Sequence, residues 1–138
     1  MSNEYIENPD SEHYALRITR YVLLIDTSKP QVLVALIKDR KLVGQESWAG
    51  DKTLGTKLLS VIDELLVKNS LKLEDINRIA VHGGPGHYSA LRSGIVAATF
   101  LAQSNKAELV QLTGDTLEAM VREALQNEPV EIIVPKYS

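Results

Sequence analysis

Apolar residues follow two kinds of pattern along this chain, one typical of strands and one of helices. Short apolar or β-branched runs predict strands at 21–25, 31–37, 41–48, 78–81, 108–112 and 130–134. Repeats at helical spacing predict helices over 53–69, 89–103 and 117–125. Because only a short turn at 38–40 separates the second and third strands, we predict an antiparallel hairpin there. The order then indicates an α/β fold with a mixed sheet of about five strands and helices on its faces.

The third predicted helix is preceded by a start signal. Asp115 and Glu118 stand three residues apart, directly before and among its first apolar positions. This spacing resembles a capping box, in which the two side chains bind the free N–H groups of the first turn. The sequence therefore predicts a helix start at Asp115.

The stretch from Val81 to Gly94 contains a dense turn signal. Gly83, Gly84, Pro85 and Gly86 separate a predicted strand from a predicted helix. Such a turn leaves N–H groups free at the helix start, where an anion can bind. No Walker lysine follows, and Ser89 stands where a dinucleotide fingerprint has its third glycine. Spacing alone therefore leaves open a weak phosphate site and a structural turn, and it favours the turn.

Charge divides the chain into two parts. Residues 1–19 hold four of its 18 acidic residues and one of its 15 basic ones, so residues 20–138 carry equal numbers of both. We predict a flexible acidic extension at 1–19, dispensable for folding, and one lobe at 20–138. A protein that grips nucleic acid alone shows a basic excess. We therefore expect no strong direct binding of nucleic acid.

Composition also limits the compartment and the cofactors. The chain lacks cysteine, and its longest apolar stretch, 95–102, is too short to cross a membrane. No apolar signal core precedes residue 20. We therefore expect a cytoplasmic protein without membrane contact. His82 and His87 are too few to hold a metal, and we predict neither a metal nor a cofactor.

Two segments carry a resemblance to a known family. They read LIDTS at 24–28 and GPGHYSALRSG at 84–94. Together with the element order they resemble the TsaB (YeaZ) family of tRNA threonylcarbamoyladenosine synthesis. The resemblance implies a single ribonuclease-H-like lobe of the actin, Hsp70 and sugar-kinase type, and we expect the family's second lobe to be missing. The chain departs from the family where His87 to Ala90 replace Ser-Phe-Thr-Gly and where Leu54-Gly55 replaces a His-Ser/Thr pair.

The resemblance implies a scaffold that pairs with a TsaD-type catalytic subunit, with a TsaE-type ATPase as a further partner. Alone, the chain is then expected to form a homodimer through its first two helices. The second helix is apolar or small on nearly every side, and Ala90, Gly94 and Ala98 predict a groove for a partner helix. The predicted interface residues are Leu54, Leu58, Leu59, Leu66, Leu91, Gly94, Ile95, Ala98, Leu101 and Ala102.

A catalytic role is the alternative hypothesis. It would make the chain a small nucleotide- or phosphate-binding enzyme of the actin-like ATPase fold, or a relic glycoprotease-like domain. The candidate anion-binding residues are Asp26, Thr27, Gly84, Gly86, Ser89 and Arg92. Asp26 has no second carboxylate placed opposite it, so we expect it to cap the turn to Ser28 instead. For Arg92 an ion pair with an acid is the favoured interpretation, and no residue is predicted to be catalytic.

Overall fold

One five-stranded sheet organises the fold. The structure is a computed structural model that describes residues 20–138, so the predicted extension at 1–19 lies outside the described residues. A single 3-10 turn, Leu73–Asp75, precedes the fourth strand. The elements are β1 Tyr21–Asp26, β2 Gln31–Lys38, β3 Lys41–Ala49, α1 Leu54–Lys68, β4 Arg78–His82, α2 Tyr88–Asn105, β5 Glu108–Leu112 and α3 Leu117–Gln126. In residues 20–138 no helix is long and apolar enough to cross a membrane.

The strand order explains the mixed character of the sheet. It runs β3-β2-β1-β4-β5. β2 pairs antiparallel with both β1 and β3, whereas β4 pairs parallel with both β1 and β5. The predicted hairpin and the mixed sheet are therefore confirmed. Parallel strands end at the same edge, so the turns that follow β1 and β4 lie beside each other.

The helices cover the two faces of the sheet unequally. Leu23 and Ile25 of β1 pack in one core cluster with α1 and α2, while Val22 and Leu24 pack in a second cluster with α3. Neighbouring strand residues point to opposite faces, so an unbroken apolar run must be covered on both sides. The prediction that β1 is buried on both faces is confirmed.

The turn between β2 and β3 is tight and strained. Its two central residues, Asp39 and Arg40, have φ values of 47° and 80°. Two hydrogen bonds fasten the start of β1 to it: Asp39 N–H donates to the Arg20 carbonyl, and Arg20 N–H donates to Asp39 Oδ1, both over 2.9 Å. Lys38 and Lys41 form the last cross-strand pair before the turn.

The predicted sixth strand at 130–134 is wrong. Val130 N–H donates to the Leu109 carbonyl over 2.8 Å, but no ladder follows. Instead, the Gln111 side chain binds both backbone groups of Val134, with distances of 3.0 and 3.1 Å. Prolines 129 and 135 bracket the segment and have no N–H to donate. It therefore runs beside β5 without joining the sheet.

The predicted capping box before α3 is also wrong by one position. The helix begins at Leu117, and its N-cap is Thr116, whose Oγ1 accepts from the Ala119 N–H over 3.1 Å. Asp115 is exposed and makes no such bond within the described chain. Periodicity locates a helix to within a few residues, and the cap depends on where the backbone turns.

Candidate functional site

The turn between β4 and α2 is held by hydrogen bonds that its backbone N–H groups donate. Gly83, Gly84 and Gly86 each donate their N–H, to the Leu112 carbonyl, to His82 Nδ1 and to the Lys136 carbonyl respectively. Gly84 has a φ of 106°, and a Cβ there would collide with the Lys136 carbonyl oxygen. Because these three donors are already engaged, they are not available to hold an anion.

The chain returns to this turn near its C-terminal residues. Lys136 N–H donates to the Gly83 carbonyl over 2.8 Å, and Ser138 N–H donates to the Gly86 carbonyl over 3.0 Å. The rings of Tyr88 and Tyr137 lie 4.7 Å apart beside them. The segment after α3 is thus fastened to the start of α2.

Asp26 closes the turn after β1, as predicted. Its Oδ1 accepts from the Ser28 N–H at 2.9 Å and from the Ser28 hydroxyl at 2.6 Å, while Oδ2 lies 3.0 Å from Lys29 Nζ. Burial of the carboxyl opposes its ionisation. The bonds from Ser28 and the charge of Lys29 together outweigh that burial, and the pKa of Asp26 lies below its ordinary value.

This lowered pKa predicts a pH-dependent contribution to stability. The native state binds fewer protons than the unfolded chain, so the contribution is complete above the ordinary pKa and is lost as the pH falls through the lowered one. We expect Asp26→Asn to reduce the free energy of unfolding by about 1–2 kcal/mol at pH 7. Urea unfolding across pH 2 to 7 measures the effect, and the difference between the two proteins should vanish in acid.

Asp51→Asn is the matched control for this prediction. Asp51 accepts from the Thr53 N–H and hydroxyl at 2.8 and 2.6 Å, the same arrangement as in Asp26, but it is fully exposed. Solvent screens such a group, so a smaller effect is expected. Equal losses in the two variants would contradict the role of burial and of Lys29.

His82 is a structural residue. It is buried at the end of β4, its Nδ1 accepts from the Gly84 N–H at 3.0 Å, and its Nε2 lies 2.8 Å from the Gly114 carbonyl. Both ring nitrogens are therefore committed. His87 is exposed at the N-cap of α2, and its side chain makes no capping bond. Within residues 20–138 no group of three potential metal ligands occurs.

A cavity of about 820 Å³ opens where the turns after β1 and β4 meet. Of the predicted anion-binding residues it brings together Thr27, Gly86 and Ser89, and Lys29 and Lys52 also line it. The other three lie elsewhere. Asp26 is buried in its own turn, Gly84 is covered by Lys136, and Arg92 is exposed on α2 without an ion pair to any described residue. The acid partner expected for Arg92 is thus absent from residues 20–138.

Most of the predicted interface residues belong to the core of the lobe. Leu59 is 46% exposed and Ile95 is half-buried. The other eight are buried: Leu54, Leu58, Leu66, Leu91, Gly94, Ala98, Leu101 and Ala102. The two helices pack on each other as well as on the sheet, and this double contact buries most of the predicted interface residues. Gly94 lies against the Thr27 side chain, so the predicted groove is already filled from within.

Other apolar side chains on these helices face outwards. Val67 on α1 is 66% exposed, and Val96 and Phe100 on α2 are 54% and 62% exposed. Tyr88, Arg92, Val96 and Phe100 follow each other at four-residue steps and share one side of α2. The predicted interface residues include none of Val67, Val96 and Phe100, although the second helix was expected to be apolar on nearly every side. The buried set at 91, 94, 98 and 101 has the opposite helical phase, which is the signal that separates the two sides.

The chain matches one family model and several curated proteins. The model of the family described as "TsaD: tRNA N6-adenosine threonylcarbamoyltransferase" matches residues 51–135, more than half of the chain. The chain belongs to this family. Curated relatives carry the name "tRNA threonylcarbamoyladenosine biosynthesis protein TsaB", so the predicted resemblance to TsaB is confirmed.

These relatives match over part of their length. The TsaB protein of Buchnera aphidicola subsp. Baizongia pistaciae is 37% identical over 78 residues, which are 56% of this chain and 34% of the relative. The TsaB protein of Bacillus subtilis is 28% identical over 83 residues, 60% of this chain and 36% of the relative. The alignments thus cover less than half of the curated relatives.

A solved structure supports the fold. "YeaZ from Pseudomonas aeruginosa" superposes with a TM-score of 0.63 at 22% identity, over 68% of this chain and 44% of that protein. The predicted ribonuclease-H-like lobe is therefore confirmed.

Proposed function

We propose that this chain is a non-catalytic partner of a TsaD-type subunit in the threonylcarbamoyladenosine modification of tRNA. It docks on that subunit through the outer sides of α1 and α2. The names of its TsaB relatives support the pathway, and the matching family model supports the kind of partner. Without that partner, the same surface pairs with a second copy about a two-fold axis.

The exposed apolar side chains of α1 and α2 carry this proposal. Leu59, Val67, Val96 and Phe100 lie on two neighbouring helices and project away from the sheet. A helix that only covers a sheet needs apolar residues on one side. Apolar residues on the outer sides of both helices are typical of a protein–protein contact, and interface cores favour large aromatic anchors such as Phe100.

The buried polar groups that could act in catalysis are already engaged in hydrogen bonds, and this supports a non-catalytic role. Asp26 is bound to Ser28 and Lys29, and both ring nitrogens of His82 are occupied. A catalytic carboxylate or imidazole needs a free lone pair or proton facing its substrate. The cavity beside Lys29 and Lys52 is the feature that favours the alternative, a nucleotide-binding enzyme. Its lining also includes Asp51 and His87, but the Asp51 Oδ1 already accepts hydrogen bonds from the Thr53 N–H and hydroxyl.

Phe100→Asp tests the docking surface. Phe100 is 62% exposed, so the fold should tolerate the change, whereas a charge in the centre of an apolar contact must be desolvated. We expect the affinity for the TsaD-type subunit of the same genome to fall at least tenfold, with an unchanged melting temperature. Calorimetry measures the affinity, and the formation of modified adenosine by the mixture should fall in parallel.

Ile132→Asp is the matched control. Ile132 is 69% exposed but belongs to neither helix, because it lies on the segment after α3 that runs beside β5. It should capture the TsaD-type subunit as the unaltered chain does. Normal capture by Phe100→Asp together with loss in Ile132→Asp would place the interface on the segment after α3 instead. Modified adenosine formed by this chain alone would overturn the non-catalytic role.

A further inference from the structure

The tip of the β2–β3 hairpin concentrates positive charge. Arg20, Lys38, Arg40 and Lys41 are all exposed there. Among residues 20–138 none of the four forms an ion pair. The acid of the turn, Asp39, uses its Oδ1 to accept the Arg20 N–H. Residues 20–138 as a whole carry equal numbers of acidic and basic residues, so this tip is a local positive excess and the rest of the lobe is net negative.

Two features of the tip oppose stability. Arg40 occupies a turn position with a φ of 80°, where glycine is the favoured residue. Lys38 and Lys41 stand directly opposite each other, and like charges in a cross-strand pair repel. Backbone strain and unfavourable charge that coincide at one turn are typical of a functional position.

We propose that this hairpin tip binds the phosphate backbone of the tRNA substrate. The inference rests on the proposed function, which places a tRNA beside the complex. A guanidinium binds a phosphate through two parallel hydrogen bonds, and lysines supply point charges on either side. The tight turn and the two bonds between Arg20 and Asp39 hold the four cations close together. The backbone of the tip therefore needs little further ordering on binding.

The expected affinity of the hairpin tip for tRNA agrees with the neutral net charge of the lobe. A protein that neutralises about three phosphates loses about 20-fold to 40-fold in affinity between 50 and 200 mM salt. The hairpin tip alone thus gives weak, salt-sensitive binding, and it adds affinity when the partner subunit also contacts the tRNA. This is compatible with the absence of strong binding expected from the charge balance.

Arg40→Gly separates binding from stability. It removes one cation and relieves the positive φ, so we expect the melting temperature to rise by a few degrees. The affinity of the complex with the TsaD-type subunit for an unmodified tRNA transcript should fall about fivefold to tenfold at 100 mM salt. The salt slope should fall by about one. Fluorescence anisotropy of a labelled transcript measures both quantities.

Lys106→Gly is a closely matched control. Lys106 is an exposed cation with a φ of 54° at the end of α2, beside the opposite edge strand β5. It should gain stability in the same way without loss of tRNA affinity. Arg40→Lys keeps both the charge and the strained angle, and most of the affinity should remain.

The outcomes distinguish this inference from the proposed function. If the chain captures the TsaD-type subunit but Arg40→Gly binds the transcript normally, the hairpin site is wrong and the proposed function stands. If capture fails, the proposed function is wrong. The tRNA affinities of the same variants, measured without the partner, then test the hairpin site on its own. A loss of binding to phosphatidylserine vesicles but not to the transcript would identify a membrane site and overturn the RNA contact.

Discussion

Replacing Ala98 with arginine is expected to unfold the lobe. Ala98 is completely buried in the cluster formed by α1, α2 and the sheet. The guanidinium would be driven into this apolar layer without a partner, at a cost of about 3–5 kcal/mol or more. Because the larger side chain also overpacks the core, by about 1–3 kcal/mol more, and small domains are stable by only about 5–15 kcal/mol, much of the folded population should be lost at 37 °C.

Val96→Arg is the control on the same helix. Val96 lies two residues away but is 54% exposed, so its substitution adds the same charge in water. Its melting temperature should stay within a few degrees of the unaltered chain. Thermal unfolding followed by circular dichroism compares the two. A cooperative transition of Ala98→Arg at the unaltered temperature would show that this side of α2 faces outwards after all.

Gly94→Ala should be the second most damaging change. A Cβ at position 94 would collide with Thr27 Oγ1 and lie 2.9 Å from its Cγ2, closer than packed atoms approach. Thr27 is buried, so its side chain has little room to move. We expect a loss of about 2–3 kcal/mol, the usual effect of overpacking a core. Chemical denaturation measures the loss.

Thr27→Ala should restore part of this stability when the two changes are combined. It removes the two nearest atoms, and the Thr27 hydroxyl has no hydrogen-bond partner in the described chain, so its loss alone costs little. The double-mutant cycle should give a coupling of about 1 kcal/mol or more. Gly55→Ala is the control, because the nearest atom to its Cβ would be Ser93 Oγ at 3.8 Å. A destabilised Gly55→Ala or additive effects at 27 and 94 would contradict this account.

The sequence predicts the sheet well because its signals are local or uniform. β1 is an unbroken apolar run, which fits a central strand covered on both faces. The hairpin follows from the short connection before Lys41. The segment at 130–134 was misassigned because its residues favour strands, while the Gln111 side chain takes over the bonds of Val134 that a neighbouring strand would supply. A distant partner of this kind leaves no local pattern.

In the candidate site, too, features that depend on nearby residues were predicted and features that depend on distant residues were not. The capping of Ser28 by Asp26 depends on residues two apart, and it was predicted correctly. The small residues of α2 face inwards because Gly94 packs against Thr27, which is distant in the sequence. Periodicity groups Gly94 with Ala98 on one side of the helix. It does not tell whether that side meets the protein's own sheet or a partner.

Trp48 gives this lobe an optical signal at a defined place. It is the only tryptophan of the chain, half-buried on the edge strand β3, and Lys57 Nζ of α1 lies 5.6 Å from its ring centroid. Indole emission responds both to water and to a nearby ammonium group. The fluorescence of this one ring therefore reports the separation of α1 from the sheet, which circular dichroism does not distinguish from the loss of helix elsewhere.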